Sequence, residues 1–152
     1  MASDLRQQIR ANAAELRRLH ARLHETFSRR GKDRQAWSEA CAEFHARYDT
    51  LAFPGGYTGA LERLVAGDEL TMEAALVFLE LRPNFFRSGY MRKKLMRYAK
   101  RAPFSKAQAQ RLRFVLQRDA DWRALKRERS DAMSLEDMFL LLESRGIVRA
   151  KE

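Results

Sequence analysis

The sequence predicts an all-α fold: a single-domain bundle of about seven or eight helices that begins with an antiparallel helical hairpin. Three observations carry this expectation. Apolar residues recur at helical spacing over most of the chain. No convincing strand pattern appears. All three prolines, Pro54, Pro83 and Pro103, fall between the periodic stretches. With 152 residues, 45% of them apolar, the chain can bury a core without disulfides or metals, and its composition excludes collagen-like or wholly disordered classes. The expected layout is a hairpin over 3–51 and a bundle over 58–145 that carries basic helices at 86–118.

The first helix is expected from Ser3 to about Ser28. Leu5, Ile9, Leu16, Leu19, Leu23 and Phe27 form one apolar stripe, and Ser3 is a candidate N-cap. Arg29-Arg30-Gly31 reads as its stop, with Gly31 as a left-handed cap. The second helix, about Asp33 to Leu51, has a seam of Trp37, Cys41, Phe44, Tyr48 and Leu51 at alternating spacings of four and three. The short turn between these two helices favours an antiparallel pair. Phe53-Pro54-Gly55-Gly56-Tyr57 is a turn. It lacks the preceding strand and the Lys-Ser/Thr ending of a phosphate loop.

A short third helix is expected from Thr58 to near Gly67. Thr71 is the expected cap of a fourth helix, Met72 to Arg82, which is apolar nearly all round and should be central. Pro83 ends it. The fifth helix covers about Phe86 to Arg101. Ser105 and Gln108 have capping-box spacing for a sixth, whose core face is Leu112, Val115 and Leu116. A weaker segment, Ala120 to Arg129, has Trp122 and Leu125 as anchors. The last helix starts at Ser134 and ends near Arg145-Gly146-Ile147. Its run Met138 to Leu142 reads as core in preference to a dimer contact. Trp37, Phe44, Leu76, Leu79 and Leu95 should be buried.

The charge is unevenly spread. The chain carries 30 Lys and Arg against 20 Asp and Glu, a net of +10. Residues 81–118 hold twelve of the basic residues and no acidic one, so the remainder is slightly acidic. On a helical wheel of the fifth helix, Met91, Leu95, Tyr98 and Ala99 face the core. Arg87, Lys93, Lys94, Arg97, Lys100 and Arg101 occupy the opposite arc, with Tyr90 among them. Cations that neutralise phosphates around a ring that can stack on a base are the makeup of nucleic-acid sites. Lys106, Arg111, Arg113 and Arg118 extend the patch. A solvated helix face would normally mix Glu among the Lys and Arg, and none is present here.

The expected function is therefore a non-enzymatic nucleic-acid-binding protein, for RNA or DNA, directed at the backbone and not at sequence. The alternative is a protein-interaction module, an adaptor or inhibitor that holds an acidic protein. An anionic membrane surface ranks below both. No zinc-finger, basic-zipper or RNA-recognition motif is present, and Pro103 argues against a helix-turn-helix in the fifth and sixth helices. His20, His24, Cys41 and His45 all lie in the hairpin, with i, i+4 spacing in each pair, and could converge on a metal. Cys41 belongs to an apolar seam, however, and the reading adopted is no metal and no cofactor. No acid–base constellation marks an enzyme. The single Cys and the absence of a secretory apolar region or an 18-residue apolar run fit a cytoplasmic protein.

Overall fold

The computed structural model describes residues 2–144; the side chains of residues 2, 132–136, 138, 141 and 144 lie outside the described set. Among the described residues there are six helices and no strand: α1 Ala2–Ser28, α2 Arg34–Ala52, α3 Ala60–Ala66, α4 Glu69–Leu81, α5 Ser88–Ala99 and α6 Lys106–Ser144. The all-α expectation stands and the count of seven or eight is corrected. Residues 106–144 contain neither Gly nor Pro, so nothing interrupts the backbone where separate helices were expected around 120 and 134. The expected Gly-capped end at 145–147 lies outside the described residues. The chain forms two compact units, divided between Leu112 and Arg113.

In the first unit, α1 and α2 form the expected antiparallel hairpin. Glu15 meets Arg47 at 2.8 Å, Arg22 meets Glu43 at 2.8 Å, and the Phe27 and Trp37 rings lie 5.6 Å apart. Leu5, Ile9, Leu16 and Leu19 are buried, joined by Ala13. Towards the turn the stripe opens: Leu23 is half-buried and Phe27 exposed. Trp37 is half-buried, not buried as expected, because it lies at this turn end against Phe27. Gly31 is not left-handed. The amides of Lys32 and Asp33 donate to the Arg29 carbonyl, and the Asp33 carboxylate accepts from Ala36 N–H at 3.0 Å to start α2.

Glu15 accepts hydrogen bonds from Arg18 at 2.6 Å and Arg47 at 2.8 Å. These bonds, Arg18 first, lower its carboxyl from 4.5 to about 2. The unfolded chain binds this proton more tightly. The group's contribution to stability is therefore present in full above pH 4.5 and lost as pH falls towards 2. A carbon-detected NMR titration should give Glu15 a midpoint near the lower value. Glu15→Gln should flatten this part of the acid-unfolding curve, and an ordinary midpoint in the parent would refute the assignment.

Helix α4 is central to this unit. Ala74, Ala75, Leu76, Val77, Phe78 and Leu79 have no exposed surface. It packs against α1, α3 and α5, and α3 also packs on α5. Its cap is Asp68, not Thr71: the Asp68 carboxylate accepts from the Thr71 amide at 3.0 Å and from the Thr71 hydroxyl at 2.6 Å. The helix consequently begins three residues earlier than expected. Gly67 ends α3 with φ +87°, and a Cβ there would stand 2.8 Å from Pro103 Cγ, so the turn requires glycine.

The 53–59 turn is closed internally. Asp49 accepts from the Thr58 amide at 2.8 Å and hydroxyl at 2.7 Å, and Arg63 donates to the Gly56 carbonyl at 2.9 Å. Helix α6 starts with the expected capping box. Gln108 N–H donates to Ser105 Oγ at 3.2 Å, and Ser105 N–H donates to Gln108 Oε1 at 3.1 Å. In the second unit Val115 and Asp119 are buried, and Arg123 pairs with Asp119 at 3.0 Å. Phe139 and Leu140, expected as core, are 58% and 63% exposed. No helix among the described residues is long and apolar enough to cross a membrane.

Candidate nucleic-acid interface

The α4–α5 connection determines what α5 presents. Arg82 ends α4 in the left-handed region at φ +51°, and Arg87 precedes α5 there at φ +66°. Between them, Arg17 Nη1 donates to the Asn84 carbonyl at 2.7 Å, Phe85 is buried, and Ser88 Oγ accepts from Phe85 N–H at 3.1 Å. The Tyr48 hydroxyl donates to the Phe86 carbonyl at 2.7 Å. The turn is thus held from α1 and α2. It delays the start of α5 to Ser88, two residues later than the sequence pattern suggested, because Phe86 and Arg87 are used in the turn.

Beyond this turn the wheel separates as expected. Met91, Leu95 and Ala99 are buried, Tyr98 is half-buried, and Met96 adds to the buried face. Tyr90, Lys93, Lys94, Arg97 and Lys100 are exposed, and Tyr90 is 72% exposed. Tyr90 has Lys93, Lys94 and Arg97 at the i+3, i+4 and i+7 positions, which places them beside it on one helix face. No carboxylate pairs with Lys93, Lys94, Arg97 or Lys100 among the described residues. Arg87 stands exposed at the N-terminal end of the face. At the other end Arg101 lies over the Tyr98 ring at 4.5 Å.

The extension of the patch divides. Lys106 is exposed at the start of α6. Arg111, although a candidate by charge, is engaged inside the first unit. Its Nη1 donates to Glu73 at 2.8 Å and its Nη2 to Glu80, while Gln108 also reaches Glu73 at 3.3 Å. Burial alone would lower Arg111; its hydrogen bonds to Glu80 and Glu73 more than offset it and hold the guanidinium above its ordinary value. This fork joins α6 to α4. Arg111 thus bridges Glu73 and Glu80, seven residues apart on α4. Arg113, exposed, and Arg118, half-buried, belong to the second unit.

The histidines sit among aromatic rings. His20 stacks on Phe86 at 4.8 Å with an interplanar angle of 22°, and meets His24 edge-on at 4.5 Å. His45 lies edge-on to Phe44 at 6.0 Å. His20 faces Phe44 across the hairpin at 5.6 Å, one turn beyond Cys41. No cluster of three or more metal-ligating side chains occurs among the described residues. Burial, and then the neighbouring His24, lower the His20 imidazole from its ordinary value, which favours the neutral ring. These rings, with Leu23, Tyr48, Asp49 and Arg87, line an open groove of about 560 Å³. Charge and periodicity marked Arg87 but gave no sign of Phe86. The only hint of it was an apolar residue next to a proline-containing turn. Comparison with protein-family models, curated proteins and solved structures found no match for this chain.

Proposed function

We propose that this protein is a non-enzymatic nucleic-acid-binding protein that grips the phosphate backbone with the exposed face of α5. One observation carries the reading: Tyr90 is 72% exposed, and the cations around it, Lys93, Lys94 and Arg97, have no carboxylate partner among the described residues. A helix face of like charges repels itself, and polyanions relieve that repulsion by releasing their counterions on binding. The exposed tyrosine adds a surface on which an unpaired base can stack. A cytoplasmic location fits this role, since the lone Cys41 is half-buried and stays a thiol under reducing conditions.

The test is binding to unrelated single-stranded and duplex oligonucleotides over a series of salt concentrations. With about four to six phosphate contacts, log K should fall against log salt with a slope of roughly −3 to −5. Unrelated sequences should bind alike, because phosphate contacts carry little sequence information. Tyr90→Ala should leave the slope nearly unchanged and weaken single-stranded ligands by roughly 1–3 kcal/mol. A parent protein that binds no oligonucleotide at low salt overturns the proposal. Stoichiometric capture of an acidic protein by the same face would then make the interaction-module reading the better one.

A further inference from the structure

We infer that the groove over Phe86 and His20 holds a nucleotide, its base on the Phe86 ring and its phosphate on Arg87. The inference deepens the α5 reading and rests on it for the strand as the source of the base. The groove's volume, about 560 Å³, lies within the range of small-ligand clefts. Aromatic rings make up much of its lining. Phe86 leaves 43% of its surface exposed, with His20 stacked on it at 4.8 Å, Phe44 edge-on at 6.0 Å and the Arg87 guanidinium over its ring at 5.3 Å. A flat heteroaromatic ring can cover such a surface by stacking and lose little hydration in doing so.

Arg87 is the guanidinium of the lining and the group that receives the phosphate. Arg87 is exposed and has no carboxylate partner among the described residues. The acid of the lining, Asp49, is committed to the Thr58 amide and hydroxyl. Arg87 also keeps a left-handed backbone at φ +66°, a conformation glycine would adopt without strain. Strained residues held by their surroundings concentrate at functional sites, and here Tyr48 and Arg17 hold the turn. Phe86 and Arg87 lie in the turn that leads into α5, and Tyr90 lies in the first turn of that helix. A strand that runs along α5 past Tyr90 towards the start of the helix comes next to the turn that carries Phe86 and Arg87.

Two probes separate the sources: a short oligothymidylate, and adenosine 5′-monophosphate alone. The readouts are fluorescence polarisation for the oligomer and the ring resonances of His20 and His24 by NMR for both. In the parent, the oligomer should shift both histidines. Phe86→Ser should weaken the oligomer about tenfold at an unchanged salt slope, the scale of one lost base stack. Arg87→Gly should lower that slope by about 0.7 units while its melting temperature does not fall, since glycine relaxes the backbone.

If folded Phe86→Ser binds as the parent does and neither histidine moves, the inference is overturned. That outcome leaves the α5 reading intact provided the combined Lys93→Ala, Lys94→Ala and Arg97→Ala variant still weakens binding and lowers the salt slope. If the oligomer does not bind but the mononucleotide shifts His20, and Arg87→Gly removes that shift, the groove is a free-nucleotide site and the α5 reading fails alone. If neither probe moves either histidine, the groove does not take this ligand.

Discussion

Replacing Lys93, Lys94 and Arg97 together by alanine should weaken single-stranded binding about a hundredfold near 0.1 M salt. Each lost phosphate contact on a single strand removes about 0.7 units from the salt slope, so three remove about two. Screening leaves little of the electrostatic contribution near 1 M, so parent and variant should converge there. Two units of slope over one decade of salt is the hundredfold. All three side chains are exposed, so the fold should survive and the melting temperatures should agree closely. Removing three mutually repelling cations should, if anything, raise stability slightly. Polarisation titrations of parent and variant at several salt concentrations read the result. Parallel salt slopes would show that phosphates do not lie along this face.

Leu79→Ala should destabilise the first unit by roughly 2–5 kcal/mol, the span for truncating a buried leucine. Leu79 has no exposed surface and sits in the run Ala74–Leu79, all of it equally inaccessible. Its neighbours belong to helices that cannot move in without opening contacts elsewhere, because α4 packs on α1, α3 and α5 at once. The cavity should therefore persist, which puts the effect towards the upper part of the span. Urea unfolding followed by circular dichroism measures it. A shift near zero would mean that α4 is not the packing centre. The two experiments bear on different parts of the molecule, and the triple variant's intact fold is the control that keeps lost packing from imitating lost binding.

Periodicity was a good guide wherever one face of a helix meets one partner. The stripe of α1 from Leu5 to Leu19 and the split faces of α5 could be read from spacing, since burial at a repeat of 3.6 residues leaves that trace, while α4 was legible as a run apolar on every side. Local chemistry was legible too: Ser105 and Gln108 cap α6 as their spacing suggested. Boundaries were less so. Thr71 and Asp68 are both good caps three residues apart, and the hydroxyl of Thr71 in fact donates to Asp68, so the true cap became visible only through the bond. A break in hydrophobic pattern near residue 120 resembled a helix end, yet without Gly or Pro the helix continued.

The sequence by itself determined the all-helical class, the antiparallel hairpin, the central place of α4 and the cationic face of α5. Each depends on spacing along one helix or on charge within one segment. Tertiary structure decided which cations remain available. Arg111 is as basic as Lys93, but two glutamates from α4 reach it and none reaches Lys93 among the described residues. Tertiary structure also made the groove. His20 and His24 come from α1, Phe44 and Tyr48 from α2, and Phe86 and Arg87 from the turn before α5. Residues so far apart in the chain carry no joint pattern, because nothing local constrains them. They meet because Arg17 and Tyr48 fasten the turn to the hairpin, and those bonds exist only in the folded molecule.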